Sequence, residues 1–439
     1  MTSRDGDAGE VAEIDGFDDA LALVAGPPTE AAGGGPGPHR ALDWPEARLR
    51  AARAGRLARA GRSHRVPGER ALGEALAQPL TALTDLPSFD TSAMDGWAVS
   101  GPGPWSVVAA ESVLAGHAYA GELPDGTAVR IATGARIPPE ATAVIRSEHA
   151  RTDEAGRLHA RHRVVQGQDI RPRGQECRSG DSLLSEGTTV TPAVLGLAAA
   201  AGYDTLHTVP RPTVEVLVVG DELLTEGLPH GGLIRDALGP MVGPWLRALG
   251  ADVRATRRVR DDATALQRAI TGSKADLVVT TGGTAAGPVD HVHPVLHKAG
   301  AKLLVDGVSV RPGHPMLLAA LGAGRHLVGL PGNPLAAVSG LLTLAEPLLR
   351  ELAGRTAPAP YRAPVGKDLR GHPHHTRLVP FVHRDDGLEP VHFNGPAMLR
   401  GIAVADGLAV VPPGGVAPGA LLEVLDLPWT APVAGGCFT

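Results

Sequence analysis

The sequence predicts a multidomain chain of mixed α/β and β class, with a doubly wound α/β domain accompanied by two small β-rich domains. Three observations carry this reading. Residues 211–355 alternate apolar runs with helical stretches, and VEVLVVG (residues 214–220) is apolar enough to be a central parallel strand buried on both faces. Residues 86–169 hold short β-like runs (WSVVAA, AVRIA, TAVIRS, HRVVQ) broken by Gly, Pro and Asp, as a small all-β module requires. Residues 356–439 return to short strands (RLVPFVH, GLAVVP, LLEVLDL), giving a second, barrel-like β module. The 439 residues agree with about three domains at roughly 150 residues each.

Taken in order, residues 1–40 are acidic and then Gly/Pro-rich, and read as a disordered tail. Residues 41–85 and 170–210 read together as a helical and extended linker domain. Within it, residues 43–60 are expected to be a helix with Asp43 as cap and Pro45 in the first turn, Leu49 and Leu57 sharing an apolar face with several alanines. A second helix is placed over residues 68–80, and a third over residues 191–201 with Pro192 in its first turn. In the α/β domain, the strand at 214–220 is followed by a helix at 238–249. A strand at 276–283, a helix from Val289, and a strand from His326 into a last helix complete it.

Composition excludes several functions. Lys+Arg number 41 against 47 Asp+Glu, a net charge of −6, which argues against a protein that neutralises nucleic-acid phosphates broadly but leaves room for a local basic pocket. Aromatics at 3% are too few for single-strand stacking platforms. Cys177 and Cys437 share no motif spacing, so neither a disulfide framework nor a cysteine zinc site is indicated. No apolar run approaches the roughly 18 residues of a membrane span, and the acidic N-terminus lacks the character of a secretory signal. The chain reads as cytoplasmic, with neither membrane nor nucleic acid as partner.

The chemistry is expected at the strand ends of the α/β domain, where such sheets bind ligands. Gly220-Asp221-Glu222 sets two carboxylates just past a buried strand. Thr281-Gly282-Gly283-Thr284-Ala285-Ala286-Gly287 leads to Asp290, and Gly329-Leu330-Pro331-Gly332-Asn333-Pro334 precedes a helix. Glycines let backbone N–H groups approach a phosphate, a helix N-terminus favours negative charge, and neighbouring carboxylates suit Mg²⁺. Singly, each loop is equally well a tight turn, and Asp221 a helix cap. Three in one domain read as a nucleotide or phosphate site with a divalent cation. Further clusters are less telling by themselves. Thr91 to Ala98 contains the turn signal Asp95-Gly96, while Arg130 to Ala135 and Arg171 to Glu176 read as solvated loops, although Arg171 and Arg173 suit a phosphate fork.

In combination, SAMDGWA, RIATGA, RPRG, GDELL, TGGTAAG with Asp290, RPGHP and GLPGNP occur in an order that resembles the molybdopterin molybdenumtransferase family, of the MoeA type and the E domain of gephyrin. The resemblance covers about residues 43–430. It implies an elongated four-domain chain that forms a homodimer with a site shared between subunits, working among other molybdenum cofactor biosynthesis proteins. The implied reaction takes adenylylated molybdopterin and molybdate, releases AMP, and leaves molybdenum on the dithiolene, assisted by Mg²⁺. Asp95, Asp221 and Asp290 match the family's catalytic and metal-holding aspartates. Thr133, Arg173, Glu176, Gly282, Gly283, Arg311, Gly313, Pro331, Gly332 and Asn333 match its substrate-binding positions.

The departures from the family mostly remove polar groups. Ala285 stands for a usual Ser, and Arg311-Pro312-Gly313-His314-Pro315 for Lys-Pro-Gly-Lys-Pro. Leu238 replaces an Asn, Gly174-Gln175-Glu176 a Gly-Glu-Asp, Glu140-Ala141-Thr142 a Gly-Ala-Asp, and Asn394-Gly395-Pro396 a Gln-Gly-Ser. Each lost hydrogen bond to a charged ligand costs roughly 1.5–3 kcal/mol. An active transferase is therefore weighed against a non-catalytic molybdopterin-binding paralogue of the same fold. A relative that adenylylates molybdopterin is a third reading, disfavoured because it would not need the flanking β domains.

Overall fold

The computed structural model describes residues 41–284 and 291–430. The expected tail, residues 285–290 with Ala285 and Asp290, and Cys437 lie outside the described residues.

The α/β sheet runs in the order Asp252–Val259, Thr213–Val219, Leu277–Thr281, Arg325–Leu330, Leu317–Gly322, Lys302–Asp306. The first four strands are parallel, and the last two continue antiparallel, so the sheet is mixed rather than wholly parallel. Strand order reverses between Thr213–Val219 and Leu277–Thr281, which opens a crevice at their carboxyl ends. Both faces are covered. On one, Val214, Val216, Val218, Leu277, Val279 and Val328 share a core cluster with Val242, Leu246, Leu335, Val338 and Leu348. On the other face, Leu217, Val219, Val278 and Leu327 pack against Leu266 and Ile270 of helix Ala263–Gly272 and Val292, Val295 and Leu296 of helix Val292–Lys298.

Helix Trp44–Arg59 forms where the Pro45 signal places it, but Asp43 makes no side-chain cap bond. Its buried face also differs from expectation. Trp44, Ala47, Ala51, Ala54 and Gly55 are buried, whereas Leu49 and Leu57 are 65% and 70% exposed. The cause is the closeness of helix Glu346–Leu352: a Cβ on Gly55 would sit 2.2 Å from the Leu348 carbonyl oxygen, so only small residues fit at the contact. Trp44 Nε1 donates to Thr343 Oγ1 at 3.0 Å, inside a π-type turn, Leu341–Ala345, that joins helices Pro334–Gly340 and Glu346–Leu352. The first helix of the expected linker domain is thus built into the α/β core.

Residues 68–80 do not form the expected helix. A 3₁₀ turn, Gly68–Arg70, gives way to short strands Ala75–Leu76 and Leu80–Thr81, with Gly73 at φ +79° ahead of them and Pro79 unable to continue a helix. Helix Pro192–Ala200 is present, and Thr191 Oγ1 accepts from the Val194 N–H at 3.3 Å. The small β module is a six-stranded sheet that includes Trp105–Val113, Thr127–Ile131 and Ala143–Arg146. HRVVQ forms no strand, although Val164 packs against the module's core.

The three C-terminal runs become Thr376–Arg384, Gly407–Val411 and Leu421–Asp426. Their sheet also takes in Val308–Arg311, which runs parallel to Thr376–Arg384 with Arg311 opposite Arg377, and Leu42–Asp43 on its other side. The boundary expected at residue 355 is therefore crossed by a shared sheet.

Asp276 fastens the linker to the α/β sheet. It accepts from Arg62 and from the Thr213 N–H and hydroxyl, the last two at 2.7 and 2.8 Å. Burial works to raise this carboxyl, but Arg62 and Thr213 outweigh it and hold it below the usual carboxylate range. A depressed carboxyl contributes stability above its unfolded midpoint, about 3.9, and that stability is lost as pH falls through the folded value. Asp276→Asn is expected to cost roughly 1.5–3 kcal/mol at neutral pH, with the gap to wild type closing below about pH 4 in denaturant melts. Gly55→Ala is expected to lower the melting temperature: overpacking costs about 1–3 kcal/mol against roughly 1 gained in helix propensity.

Candidate functional site

Three strand-end loops meet at the crevice. Gly220, Gly282 and Gly283 hold φ of +142°, +82° and +66°, a region that favours glycine. The Gly282 N–H donates to the Leu330 carbonyl at 2.9 Å, and a Cβ there would lie 3.3 Å from the Val219 carbonyl oxygen. A Cβ on Gly332 would lie 3.8 Å from Gly282 Cα. The ends of Thr213–Val219, Leu277–Thr281 and Arg325–Leu330 thus line one backbone cradle, with Thr284 buried beneath it. Asp221 and Glu222 are exposed at its edge. Asp290 lies outside the described residues.

Helix Pro334–Gly340 joins further predicted residues to the cradle. Gly332 and Asn333 are exposed at its start, Pro331 is buried, and the Asn333 side chain makes no cap bond. The Leu335 and Ala336 N–H groups donate to the Pro396 carbonyl at 2.9 and 3.3 Å, so this helix end is partly closed by the C-terminal domain rather than fully open to a phosphate. Gly313, at φ +114°, seats the Arg311 loop on the same helix: a Cβ would meet the Ala336 carbonyl oxygen at 3.1 Å. Leu238 is 6% exposed and packs in the core, so it replaces a polar group with packing alone.

Asp95 and Thr133 form a separate cluster in the small β domain. Asp95 Oδ1 accepts from the Thr133 N–H at 2.7 Å and its hydroxyl at 3.0 Å, and these bonds hold the carboxyl below its usual range. Gly96 is required beside it, because a Cβ would lie 2.0 Å from the Ile145 carbonyl oxygen. Arg173 is paired with Asp85, and its N–H donates to Asp90. Glu176 lines a cavity of about 740 Å³ with Arg171, Gln175 and Thr91. Among the described residues, no hydrogen bond or ion pair links Asp95 or Arg173 to the cradle, so within one chain the predicted site residues fall into separate groups.

Sequence reasoning missed His372 and His375, which lie beside Arg311: its Nε donates to His375 Nδ1 at 3.2 Å. The signal available was the HPHH run ahead of a strand that pairs with Val308–Arg311. Among the described residues, no group of three His, Cys, Asp or Glu is arranged to hold a metal ion by itself. Thr133→Val is expected to raise the Asp95 carboxyl toward its ordinary value by removing one of its two hydrogen bonds, read by carboxyl NMR titration.

Three family profiles match the chain in order. They are described as MoeA N-terminal region (domain I and II), residues 44–202; probable molybdopterin binding domain, residues 215–351; and MoeA C-terminal region (domain IV), residues 362–427. Molybdopterin molybdenumtransferase 2 of Mycobacterium tuberculosis is 35% identical over 393 residues, covering 84% of this chain and 96% of the relative. A molybdopterin molybdenumtransferase of Staphylococcus aureus is 30% identical over 297 residues, covering 65% and 70%. The crystal structure of a molybdopterin biosynthesis MoeA protein from Pyrococcus horikoshii superposes with a TM-score of 0.71 at 24% identity, covering 88% of this chain and 99% of that one, and shows the shared fold.

Proposed function

Since the chain belongs to the MoeA family of molybdopterin molybdenumtransferases, we propose that it inserts molybdate into adenylylated molybdopterin with release of AMP. Molybdenum cofactor biosynthesis is the function shared with its relatives. The observation that carries the reaction is the meeting of Val219, Gly282 and Gly332 at the reversal of strand order, with Asp221 and Glu222 at the rim.

In this reading the glycine backbones receive the diphosphate link, since no side chain keeps its oxygens from the N–H groups. Asp221 is the carboxylate nearest in sequence to that link. Its hard oxygen suits Mg²⁺, which is held by one or two carboxylates together with substrate phosphates and water, so a ready-made cage of three acids is not needed. When bound, Mg²⁺ would neutralise charge developing on the leaving phosphate. Arg311 supplies a fixed positive charge for an oxyanion. Asp95, held ionised by Thr133, is available to orient a water or a molybdate oxygen. Its separation from the cradle within one chain supports a homodimer in which one subunit completes the other's site.

One observation favours a non-catalytic binder: Leu238 is packed in the core at a position where the family usually carries a polar Asn. The two readings part in one assay. Purified protein is mixed with adenylylated molybdopterin, molybdate and Mg²⁺, and AMP and pterin-bound molybdenum are measured. Metal-dependent AMP release with molybdenum retained supports the transferase, whereas tight pterin binding without AMP supports the binder. Asp221→Ala is expected to lower AMP release by roughly 10–100-fold with the melting temperature unchanged.

A further inference from the structure

Asp221 and Glu222 open a detour that leaves the α/β sheet and returns at helix Leu238–Ala248. At its base Leu223–Leu224 pairs in parallel with Ile234–Arg235, and among the described residues this ribbon joins no other strand. Residues 225–232 between them are exposed, with Gly227, Gly231 and Gly232 at positive φ. A two-stranded ribbon is marginally stable alone, so whatever ties it down sets how firmly the two rim carboxylates are held.

Arg258 is such a tie. It lies near the end of Asp252–Val259, the outermost strand of the sheet, opposite Val218. Its Nη1 donates to the Leu223 carbonyl at 2.7 Å, and its Nη2 donates to Asp236 Oδ2 at 3.1 Å. The carbonyls of Glu222 and Leu224 accept from the Ile234 and Asp236 N–H groups at 2.9 and 3.0 Å. Three successive carbonyls behind the rim are thereby engaged, and Arg258 takes the one that the ribbon partner leaves over. Asp236 is itself fixed: its side chain is 9% exposed, and Oδ1 accepts from the Gly239 N–H at 2.8 Å. Gly239 is needed there, because a Cβ would lie 2.2 Å from Asp236 Oδ2. Glu222 in turn folds back over the cradle, where a Cβ on Gly220 would lie 2.7 Å from its Oε2. Arg257, next to Arg258 on the strand, pairs instead with Glu215 at 2.8 Å.

We propose that Arg258 is a positioning residue whose forked guanidinium holds the ribbon to the sheet edge, so that the rim carboxylates stand in place before a divalent cation arrives. The fork serves two acceptors at once, whereas a lysine ammonium would serve one well. The cation rests on the transferase reading; the hold on the ribbon does not.

Two measurements on the full chain test this. Hydrogen exchange without ligand reads the ribbon, and Mn²⁺ titrated by electron paramagnetic resonance in excess AMP reads the rim. Arg258→Met is expected to speed exchange of the Ile234 and Asp236 amides by at least about tenfold. It is expected to weaken Mn²⁺ by roughly 10–100-fold. In the AMP-release assay the half-saturating Mg²⁺ concentration should rise while the rate at saturating Mg²⁺ is kept, a split that general loss of stability does not give. Arg258→Lys should recover part of each loss, and Arg257→Met should change neither exchange nor Mn²⁺ affinity. Unchanged exchange or unchanged Mn²⁺ affinity in Arg258→Met overturns the proposal. A wild type that neither binds Mn²⁺ nor releases AMP counts against the transferase reading alone, and faster exchange in Arg258→Met then still supports the hold on the ribbon.

Discussion

The approach of Gly282 to its neighbours is the constraint on which the site depends. Its N–H bonds Leu330, its Cα faces Val219 on one side and Gly332 on the other, and its backbone is left-handed. A side chain here would be strained by the left-handed backbone and would press on the Val219 carbonyl oxygen at 3.3 Å. The parallel pairing of Thr213–Val219, Leu277–Thr281 and Arg325–Leu330 fixes where these ends fall, and their burial on both faces makes the register costly to shift.

The C-terminal domain acts on this site through backbone as well as side chains. Val308–Arg311 is a strand of its sheet, Pro396 closes a helix end of the α/β domain, and His375 receives the Arg311 hydrogen bond. Departures from the family at His314 and Pro396 therefore alter contacts between domains and not only contacts to a ligand.

Much of the α/β domain was legible, because parallel strands buried on both faces leave unbroken apolar runs and glycines mark their ends. The face of helix Trp44–Arg59 was not. Periodicity favoured Leu49 and Leu57, but the close crossing with Glu346–Leu352 selected alanines, and that crossing is a long-range fact. Residues 68–80 form no helix, because Gly73 turns the chain at positive φ and Pro79 cannot continue a helical ladder. His375 beside Arg311 was hidden for a related reason: the two lie 64 residues apart in sequence and meet only through the pairing of Arg311 with Arg377.

The shared strand has a consequence for how such a chain is inherited. Cutting the gene at residue 355 would strip Val308–Arg311 of its pairing with Thr376–Arg384 and expose an unpaired edge at Val310 and Arg311. The two modules must travel together, and a recombination that separated them would yield a sticky fragment rather than a smaller working protein.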